Sequence, residues 1–322
     1  MSVLRWGLIG AGDIARKRVA PALRDLENCD LVSVSRERFE LAEAFAYEFG
    51  ARKWFADWRE LISDREIDAV YVATPVYLHA EQTIAAAETG KHVLCEKPMA
   101  LNVKDCDDMI DACRSNRVKL GIAYYRRFYP AVSRVKEIVR SGEIGNVVIA
   151  QINAFEYFNP SPDDRRRWFI EKKRSGGGPM MDFGCHRLEV LNHLFGKLRR
   201  IKSVVSNDVF KREVEDSATA VMQFENGTCA TVTVTHAAAE AQDTLDLYGT
   251  VGSIHIPVLN RGEITIKVGT KSRIEVHPPE TNFHLPLIRN FAESVIRDQD
   301  PEVIGETGRS VALMIDEIYR NG

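Results

Sequence analysis

A glycine-rich turn near the N-terminus limits the possible folds of this chain more than any other feature. The mostly apolar residues 3–9 predict a strand, and residues 13–26 predict a helix. The G-x-G-x-x-A run Gly10-Ala11-Gly12-Asp13-Ile14-Ala15 leads from the strand into the helix. In that setting Gly10 permits the tight turn, Gly12 lets the backbone approach a pyrophosphate, and small Ala15 lets the helix pack on the strand. The pyrophosphate would accept hydrogen bonds from N–H groups at the helix N-terminus. The motif therefore predicts a dinucleotide site formed by Gly10, Gly12, Asp13 and Ile14.

Strands and helices alternate through the first 123 residues. Further strands are predicted at residues 31–35, 69–73, 91–95 and 119–123, and further helices at residues 39–49, 77–89 and 102–115. Strands that alternate with helices of about 10–15 residues indicate βαβ units and a parallel sheet. We therefore predict an α/β dinucleotide-binding domain over residues 1–123 and a second domain over residues 124–322.

The end of the second strand bears on the type of cofactor. An acidic residue at this place binds the ribose 2′-hydroxyl of NAD, whereas NADP needs groups that hold a phosphate. This chain reads Val34-Ser35-Arg36-Glu37-Arg38. The Ser35 hydroxyl can donate to a phosphate, and Arg36 and Arg38 can pair with one. The sequence therefore favours NADP(H), while Glu37 leaves NAD(H) open as the alternative.

From residue 124 onward the pattern is dominated by strands. A helix is predicted at residues 131–140, and a hairpin with Asn226-Gly227 at its turn joins the strands at residues 216–224 and 228–236. The other predicted strands are at residues 147–155, 243–248, 253–256, 263–268 and 273–276. Apolar residues recur at helical spacing near the C-terminus and predict a core-facing helix; they are Val311, Met314, Ile315 and Ile318.

One hairpin strand alternates apolar and polar side chains. Ala230, Val232 and Val234 alternate with three threonines, which predicts a sheet with one dry face and one more polar face. The polar face could pack against a second subunit. The sequence is therefore compatible with a homodimer or a homotetramer.

A basic segment precedes a run of three glycines. Six Lys or Arg residues fall within the ten positions from 165 to 174. A solvated loop is the favoured interpretation. The alternative is a lid that offers positive charge to an anionic substrate.

Four possible metal ligands stand at helical spacing after those glycines. Asp182, His186, Glu189 and His193 occupy positions i, i+4, i+7 and i+11. At about 1.5 Å of rise per residue, the first and last lie roughly 16 Å apart along a helix axis. Ligand bonds of about 2 Å do not close that distance. We therefore predict no metal ion and place Asp182 and His186, which lie beside the glycines, at the mouth of a cleft.

Charge and composition exclude several classes of protein. With 43 basic and 46 acidic residues the formal charge is −3, so no overall basic field attracts nucleic acid or an anionic membrane. The six cysteines include no C-x-x-C pair, which disfavours a zinc ribbon or a disulfide framework. No apolar run approaches the 18 residues of a membrane span, and the first strand leaves no room for a cleavable signal. The expected location is therefore the cytoplasm.

Three motifs in order along the chain carry a family resemblance. They are Ala73-Thr74-Pro75, Glu96-Lys97-Pro98 at the end of a predicted strand, and the D-x-G-x-H run Asp182-Phe183-Gly184-Cys185-His186. With the early glycine motif, they resemble the glucose–fructose oxidoreductase/inositol dehydrogenase (Gfo/Idh/MocA) family over almost the whole chain. The resemblance implies a Rossmann domain followed by an α+β domain with a large, mostly antiparallel open sheet. It also implies NAD(P)-dependent oxidation or reduction of sugars, polyols and related cyclic compounds.

The resemblance also implies roles for particular residues. Lys97 would lie beside the nicotinamide and the substrate, and Asp182 and His186 would line the substrate side. Trp168 is assigned to substrate binding as well. The remaining residues assigned to the cofactor are Thr74, Pro75, His79 and Glu96. The chain has Val76, Phe169 and Glu189 where the family often has Asn, Arg and Asp. These differences indicate a substrate pocket unlike that of the best-known polyol dehydrogenases of the family.

The expected chemistry is hydride transfer between nicotinamide and a carbon that bears a hydroxyl or carbonyl group. His186 is the first choice for moving the proton, because an imidazole serves as acid and base near neutral pH. Asp182 would orient it or the substrate, and Lys97 is the alternative proton carrier. A non-catalytic NADP(H)-binding sensor and a redox-neutral glycosidase or epimerase are the competing functions. The retained Lys97, Asp182 and His186 argue against the first, and the arginines after Ser35 against the second.

Overall fold

The computed structural model describes residues 2–322, which form two compact units. Unit 1 contains the chain up to Tyr125 together with Thr281–Ser310, and unit 2 contains Arg126–Glu280 and Val311–Gly322. The single domain boundary after residue 123 stays a prediction. The contacts of the structure show a return of the chain to unit 1 after residue 280, which the strand pattern does not reveal.

Unit 1 is built on a six-stranded parallel sheet with the strand order β3-β2-β1-β4-β5-β6. The strands are β1 (Leu4–Ile9), β2 (Cys29–Ser35), β3 (Lys53–Phe55), β4 (Ala69–Val72), β5 (His92–Cys95) and β6 (Leu120–Ile122). This order is that of a doubly wound dinucleotide-binding sheet, which binds its ligand where β1 and β4 diverge. The predicted α/β class is therefore confirmed, and within unit 1 the sequence pattern misses the three-residue strand β3. In the second unit it also misses the strand Leu198–Ser206.

The helices of unit 1 cover the apolar sheet. A π-helical segment, Ala15–Val19, leads into α1 (Ala20–Asp25), and the helices that follow are α2 (Phe39–Phe49), α3 (Trp58–Ile62), α4 (His79–Glu88) and α5 (Val103–Ser115). The predicted helix at residues 39–49 has the bounds of α2. The short helix α3, whose first turn is capped by the Asp57 side chain, was not predicted.

Unit 2 contains an eight-stranded sheet. Its strands are β7 (Val147–Tyr157), β8 (Leu198–Ser206), β9 (Ser217–Phe224), β10 (Cys229–Thr235), β11 (Ala237–Gly249), β12 (Gly252–Ile256), β13 (Glu263–Val268) and β14 (Lys271–Val276). The order is β14-β13-β12-β11-β7-β10-β9-β8, and every neighbouring pair is antiparallel except β7 with β10. The expected large, mostly antiparallel sheet is therefore confirmed.

The remaining helices are α6 (Pro130–Ser141), α7 (Lys172–Ser175), α8 (Cys185–Phe195), α9 (Leu285–Ile296) and α10 (Gly305–Asn321). The apolar stripe predicted near the C-terminus is buried in α10, since Val311 and Ile318 have no exposed surface and their neighbours in the stripe almost none. Within residues 2–322, no helix combines the length and the apolar character that a membrane span requires.

The two faces of the unit 2 sheet differ as the alternation predicts. Ala230, Val232 and Val234 are buried, and β9 and β10 form the predicted hairpin. The opposite face carries the half-buried threonines of β10 and several exposed apolar side chains, namely Ile149, Val221, Tyr248 and Ile274. Packing of this face against a second subunit stays a prediction.

Helix α9 explains why residues 281–310 belong to unit 1. Phe291 packs against Trp6 of β1 with ring centroids 5.5 Å apart, and both side chains are buried. Leu287, Ile288 and Ala292 complete the buried face of the helix. The helix thus completes the core of unit 1 from a distant part of the chain.

We expect Phe291→Ala to lower the free energy of unfolding of unit 1 by about 3–5 kcal/mol, because it removes a buried ring and leaves a cavity. The measurement is urea unfolding followed by tryptophan fluorescence. Ile296→Ala, at an exposed position of the same helix, is the control and should cost less than about 1 kcal/mol. Equal, small losses for both variants would contradict the assignment of α9 to the core.

Candidate functional site

The glycine turn of unit 1 leaves room for a pyrophosphate. Gly10 has a φ of +89°, and a Cβ there would lie 2.8 Å from Cγ2 of Thr74. Its N–H donates to the carbonyl oxygen of Ser35 at 3.0 Å, which fixes the turn against the end of β2. At Gly12, by contrast, a Cβ would meet nothing closer than 3.9 Å. The turn is therefore tightly packed at Gly10 and open at Gly12. A ligand that binds the first N–H groups of a helix requires such an open position.

The residues that bear on cofactor type follow β2 directly. Ser35 is buried, and Nη1 of Arg36 donates to the carbonyl oxygen of Ala11 at 3.0 Å, beside the glycine turn. Glu37 and Arg38 are exposed. Arg36 therefore lies next to the predicted pyrophosphate site. Glu37 and Arg38 follow it directly and are both exposed, so either side chain is available to a cofactor.

His79 ties together two loops of unit 1. Its Nε2 lies 2.8 Å from the carbonyl oxygen of Thr74, and its Nδ1 lies 3.0 Å from that of Pro98. The ring is buried, and burial lowers its pKa. Pro75 starts the 3₁₀ turn Val76–Leu78 that leads to this histidine. His79 thus connects the loop after β4 with the loop that contains Lys97, and both ring nitrogens face backbone oxygens.

The carboxylate of Glu96 is held by neighbouring protein groups. Tyr71 Oη donates to it at 2.8 Å, His284 Nε2 lies 3.1 Å from Oε1, and the backbone N–H of Lys97 donates to Oε2 at 3.1 Å. Burial opposes its ionisation, but the hydrogen bond and charge of His284, with the charge of Lys97, outweigh burial and lower the pKa. Burial and the Glu96 charge raise the pKa of Tyr71 well above its usual range. Glu96 therefore anchors the backbone of the half-buried Lys97.

In unit 2 a buried carboxylate shapes the segment that presents Asp182. Glu215 accepts hydrogen bonds from the N–H groups of Gly178 and Met180, at 2.7 and 3.0 Å, and from Oη of Tyr319 at 2.9 Å. Residues Met180–Gly184 then form a π-helical turn that leads into α8. Because burial raises the pKa of Glu215, these donors matter for keeping the carboxylate satisfied. They fix the turn that contains Asp182.

Asp182 lies in a polar cluster that the sequence pattern did not reveal. Its Oδ2 is 3.5 Å from Nε2 of His236, and Oε1 of Glu156 is 3.6 Å from the same nitrogen. Possible ligand atoms of these three residues all lie within 4.8 Å of one another. Burial and the Asp182 charge raise the pKa of Glu156. The side chains of Glu156 and Asp182 are 48% and 20% exposed, so the cluster is open to a ligand on that side.

The imidazole of this cluster is firmly held. Arg212 Nη2 contacts His236 Nδ1 at 2.7 Å, and the rings of Phe158 and Phe183 pack edge-on against it at 5.0 and 5.2 Å. Arg212 also donates to the carbonyl oxygens of Phe158 and Glu215, at 3.0 and 3.3 Å. The ring is fully buried. Its orientation is therefore set by one guanidinium and two aromatic neighbours.

The four residues of the predicted stripe, from Asp182 to His193, do not share one site. His186 is buried. Glu189, fully buried as well, accepts from Nε of Arg127 at 2.7 Å. His193 Nδ1 lies 3.3 Å from Nζ of Lys136, and burial with the nearby positive charges lowers the pKa of His193 to about 3. Asp182 is the member of the stripe that joins the cluster with Glu156 and His236.

The basic segment before the glycines is largely solvated. Arg165, Arg166 and Arg167 are exposed, and Arg166 pairs with Asp164 at 2.9 Å. Trp168 is half-buried and stacks on Phe169 with ring centroids 3.9 Å apart. These exposures agree with a solvated segment, but the segment is not all loop, because Lys172–Ser175 forms the short helix α7. The lid and the binding of substrate by Trp168 stay hypotheses.

Comparison with known proteins identifies the family. Residues 4–124 match the family model described as "Oxidoreductase family, NAD-binding Rossmann fold", and residues 132–255 match the "GFO/IDH/MocA C-terminal domain". Oxidoreductase P35 of Formosa agariphila is 32% identical over 89% of this chain and 89% of the relative. The chain belongs to the GFO/IDH/MocA oxidoreductase family. The resemblance seen in the three motifs is thereby confirmed.

Two further relatives of this GFO/IDH/MocA oxidoreductase carry more specific names. The 1,5-anhydro-D-fructose reductase of Ensifer adhaerens is 31% identical over 94% of this chain and 92% of the relative. A solved structure of levoglucosan dehydrogenase in complex with NADH and levoglucosan is 25% identical, with a TM-score of 0.90 over 99% of this chain and 97% of the other. The chain is therefore similar to a reductase named for an anhydro-sugar and to a dehydrogenase that binds NADH and levoglucosan.

The lowered pKa of Glu96 predicts that the stability of this GFO/IDH/MocA oxidoreductase depends on pH. Because the folded-state pKa is lowered, ionised Glu96 stabilises the fold above the ordinary Glu value of about 4.3, and this contribution is lost as pH falls through the folded pKa. Glu96→Gln should cost about 1–3 kcal/mol near pH 7, and the difference from wild type should shrink as the pH falls below the ordinary Glu value.

Urea unfolding of both proteins across that pH range is the measurement. Glu280→Gln, at an exposed position, is the matched control and should change the free energy of unfolding by less than about 0.5 kcal/mol. A wild-type advantage over Glu96→Gln that stays constant down to the lowest pH would contradict the lowered pKa.

Proposed function

We propose that this chain is an NADP(H)-preferring dehydrogenase or reductase that acts on a hydroxyl-bearing or carbonyl carbon of a sugar, polyol or related cyclic compound. The observation that carries the substrate class is the cluster of Glu156, Asp182 and His236, which places two carboxylates within reach of a ligand. Carboxylate oxygens accept hydrogen bonds from hydroxyl groups. The names of the two relatives, an anhydrofructose reductase and a levoglucosan dehydrogenase, support the same class.

The glycine turn and the two tied loops of unit 1 fit the nicotinamide cofactor. The pyrophosphate would bind the backbone N–H groups at Gly12, Asp13 and Ile14, because the turn is open above Gly12. Thr74 and Pro75 lie on the loop that His79 ties to the Lys97 loop. When bound, the nicotinamide supplies the group that accepts or donates hydride.

The proton of the reacting hydroxyl needs a separate partner. In oxidation His186 accepts that proton as the carbonyl forms, and in reduction it returns the proton to the new alkoxide oxygen. The Lys97 ammonium donates a hydrogen bond to the same oxygen and is the alternative proton carrier. Glu96 holds the Lys97 backbone for this role. Asp182 accepts a hydrogen bond from the substrate.

Lys97→Met and His186→Ala should each lower kcat at least about tenfold, because each removes a group that handles charge or the proton on the reacting oxygen. Cofactor affinity should stay largely unchanged. The measurement is nicotinamide absorbance with a panel of anhydro-sugars, aldoses, ketoses, inositols and nucleotide sugars. His277→Gln is the control, because His277 directly follows β14 and contacts Glu275. Full turnover in both variants would contradict the site.

The preference for NADP(H) rests on charge after β2. Arg36 lies beside the glycine turn through its bond to Ala11, and exposed Arg38 stands two residues further on. Two guanidinium groups near one phosphate favour the 2′-phosphate of NADP. Exposed Glu37 would instead favour NAD if it turned toward the ribose.

Arg38→Ala and Arg36→Ala should each raise the Kd for NADPH about tenfold and leave the Kd for NADH within about twofold, because only NADPH carries the 2′-phosphate. Binding is measured by the change in nicotinamide fluorescence. Arg24→Ala, on the exposed side of α1, is the control. Tighter wild-type binding of NADH than NADPH would overturn the phosphate assignment and bring Glu37 forward.

A further inference from the structure

The position of the ring proton on His236 follows from its partner. An arginine side chain only donates hydrogen bonds. Because Nη2 of Arg212 lies 2.7 Å from Nδ1 of His236, Nδ1 must accept and holds no proton. In the neutral ring the proton is therefore on Nε2. This nitrogen is the one that faces Asp182 and Glu156.

The tautomer decides what the cluster binds. The three side chains meet the distance requirement for a metal site, but a metal needs the lone pair of Nε2. That lone pair is absent when Nε2 is protonated. Moving the proton to Nδ1 would direct an N–H at the guanidinium of Arg212. The geometry therefore disfavours a cation at these three residues and favours a hydrogen-bonding role for Nε2.

The Nε2–H group of His236 also lies between two carboxylates that repel each other. The carboxylates of Glu156 and Asp182 lie close together, which disfavours the ionisation of both. Nε2 of His236 lies 3.6 Å from one and 3.5 Å from the other, and within residues 2–322 it makes no hydrogen bond to any protein group. A donor placed between two such groups offsets part of the repulsion between them.

We propose that His236 is a positioning residue whose Nε2–H, fixed by Arg212, holds Asp182 and Glu156 so that they accept hydrogen bonds from two neighbouring hydroxyl groups of a polyhydroxylated substrate. This proposal rests on the proposed function for its substrate class. It adds Glu156 as a specificity-determining residue, and it makes His236 act through the two carboxylates rather than on the reacting carbon.

Two substitutions at His236 separate the hydrogen bond at Nδ1 with Arg212 from the contact of Nε2 with the two carboxylates. In His236→Gln the side-chain amide reaches the place of Nε2 and keeps a donor for the carboxylates. In His236→Asn the amide oxygen keeps the acceptor for Arg212, but no donor reaches the carboxylates. We expect Asn to raise KM for the sugar about tenfold with kcat within about threefold, and Gln to restore KM to within about threefold of wild type. His277→Gln is the control.

Deoxy substrates test whether the carboxylates bind hydroxyl groups. For wild type, removal of one of the two bound hydroxyl groups should raise KM about tenfold. For His236→Asn the same analogue should cause little further loss, because the interaction is already weakened. Equal KM values for wild type and His236→Asn, or an unchanged penalty for every deoxy analogue, would overturn the proposal while the proposed function stands.

The ring proton itself is observed without catalysis. Long-range ¹H–¹⁵N spectra of histidine-labelled protein, with the His236 signal assigned by its loss in His236→Gln, should show the Nε2–H tautomer in wild type. Arg212→Met should give a mixture of tautomers. Stoichiometric Zn²⁺ should leave the wild-type His236 signal unchanged. An Nδ1–H tautomer in wild type, or saturable Zn²⁺ binding at this ring, would overturn the proposal even if no sugar is turned over.

Discussion

The parallel pairing of β7 with β10 is the constraint on which the polar chemistry of unit 2 depends. All other neighbouring strands in that sheet are antiparallel. The C-terminal ends of two such neighbours therefore lie at opposite ends of the pair. Here Phe155 lies opposite Thr235 on strands of the same direction, and the next residues, Glu156 and His236, come together at one edge. Alternation along a strand then directs both away from the face that carries the threonines. An antiparallel pair would have placed these two side chains at opposite ends of the sheet.

The same region shows how buried polar groups hold a site in place. Arg212 and Glu215 stand three residues apart on the segment between β8 and β9. The first fixes the ring of His236, and the second fixes the backbone before Asp182. A network of this kind rigidifies a site when all its members are satisfied and is costly when one is lost. In unit 1, His79 and Glu96 hold the loops around Lys97 in the same way, through backbone groups.

Local signals made much of this architecture predictable. The glycine turn, the alternation of strands and helices, and the Asn226-Gly227 hairpin each depend on a few adjacent residues, and the structure has all three. The apolar residues of helix α9 recur at helical spacing and are a local signal that was missed. Its place in unit 1 carries no local signal, because it depends on Trp6, nearly three hundred positions earlier. The D-x-G-x-H motif predicted Asp182 and His186 as site residues. No local sequence pattern points to Glu156, Arg212 or His236. Their proximity comes from strand pairing, and a carboxylate and a histidine at two strand ends become a signal only when the pairing is known.

Spacing alone also gives a false impression of where a ligand binds. Asp182, His186, Glu189 and His193 suggest one continuous site, yet Glu189 pairs with Arg127, and His193 lies beside Lys136, where burial and nearby positive charges lower its pKa. The cluster that does form brings a carboxylate, a second carboxylate and an imidazole within the distances that a metal would need. What separates a hydroxyl-binding cluster from a metal-binding one here is the position of a single proton. Because Arg212 only donates, it removes the lone pair that a cation would use, and a residue outside the cluster thereby selects the chemistry of the ligand.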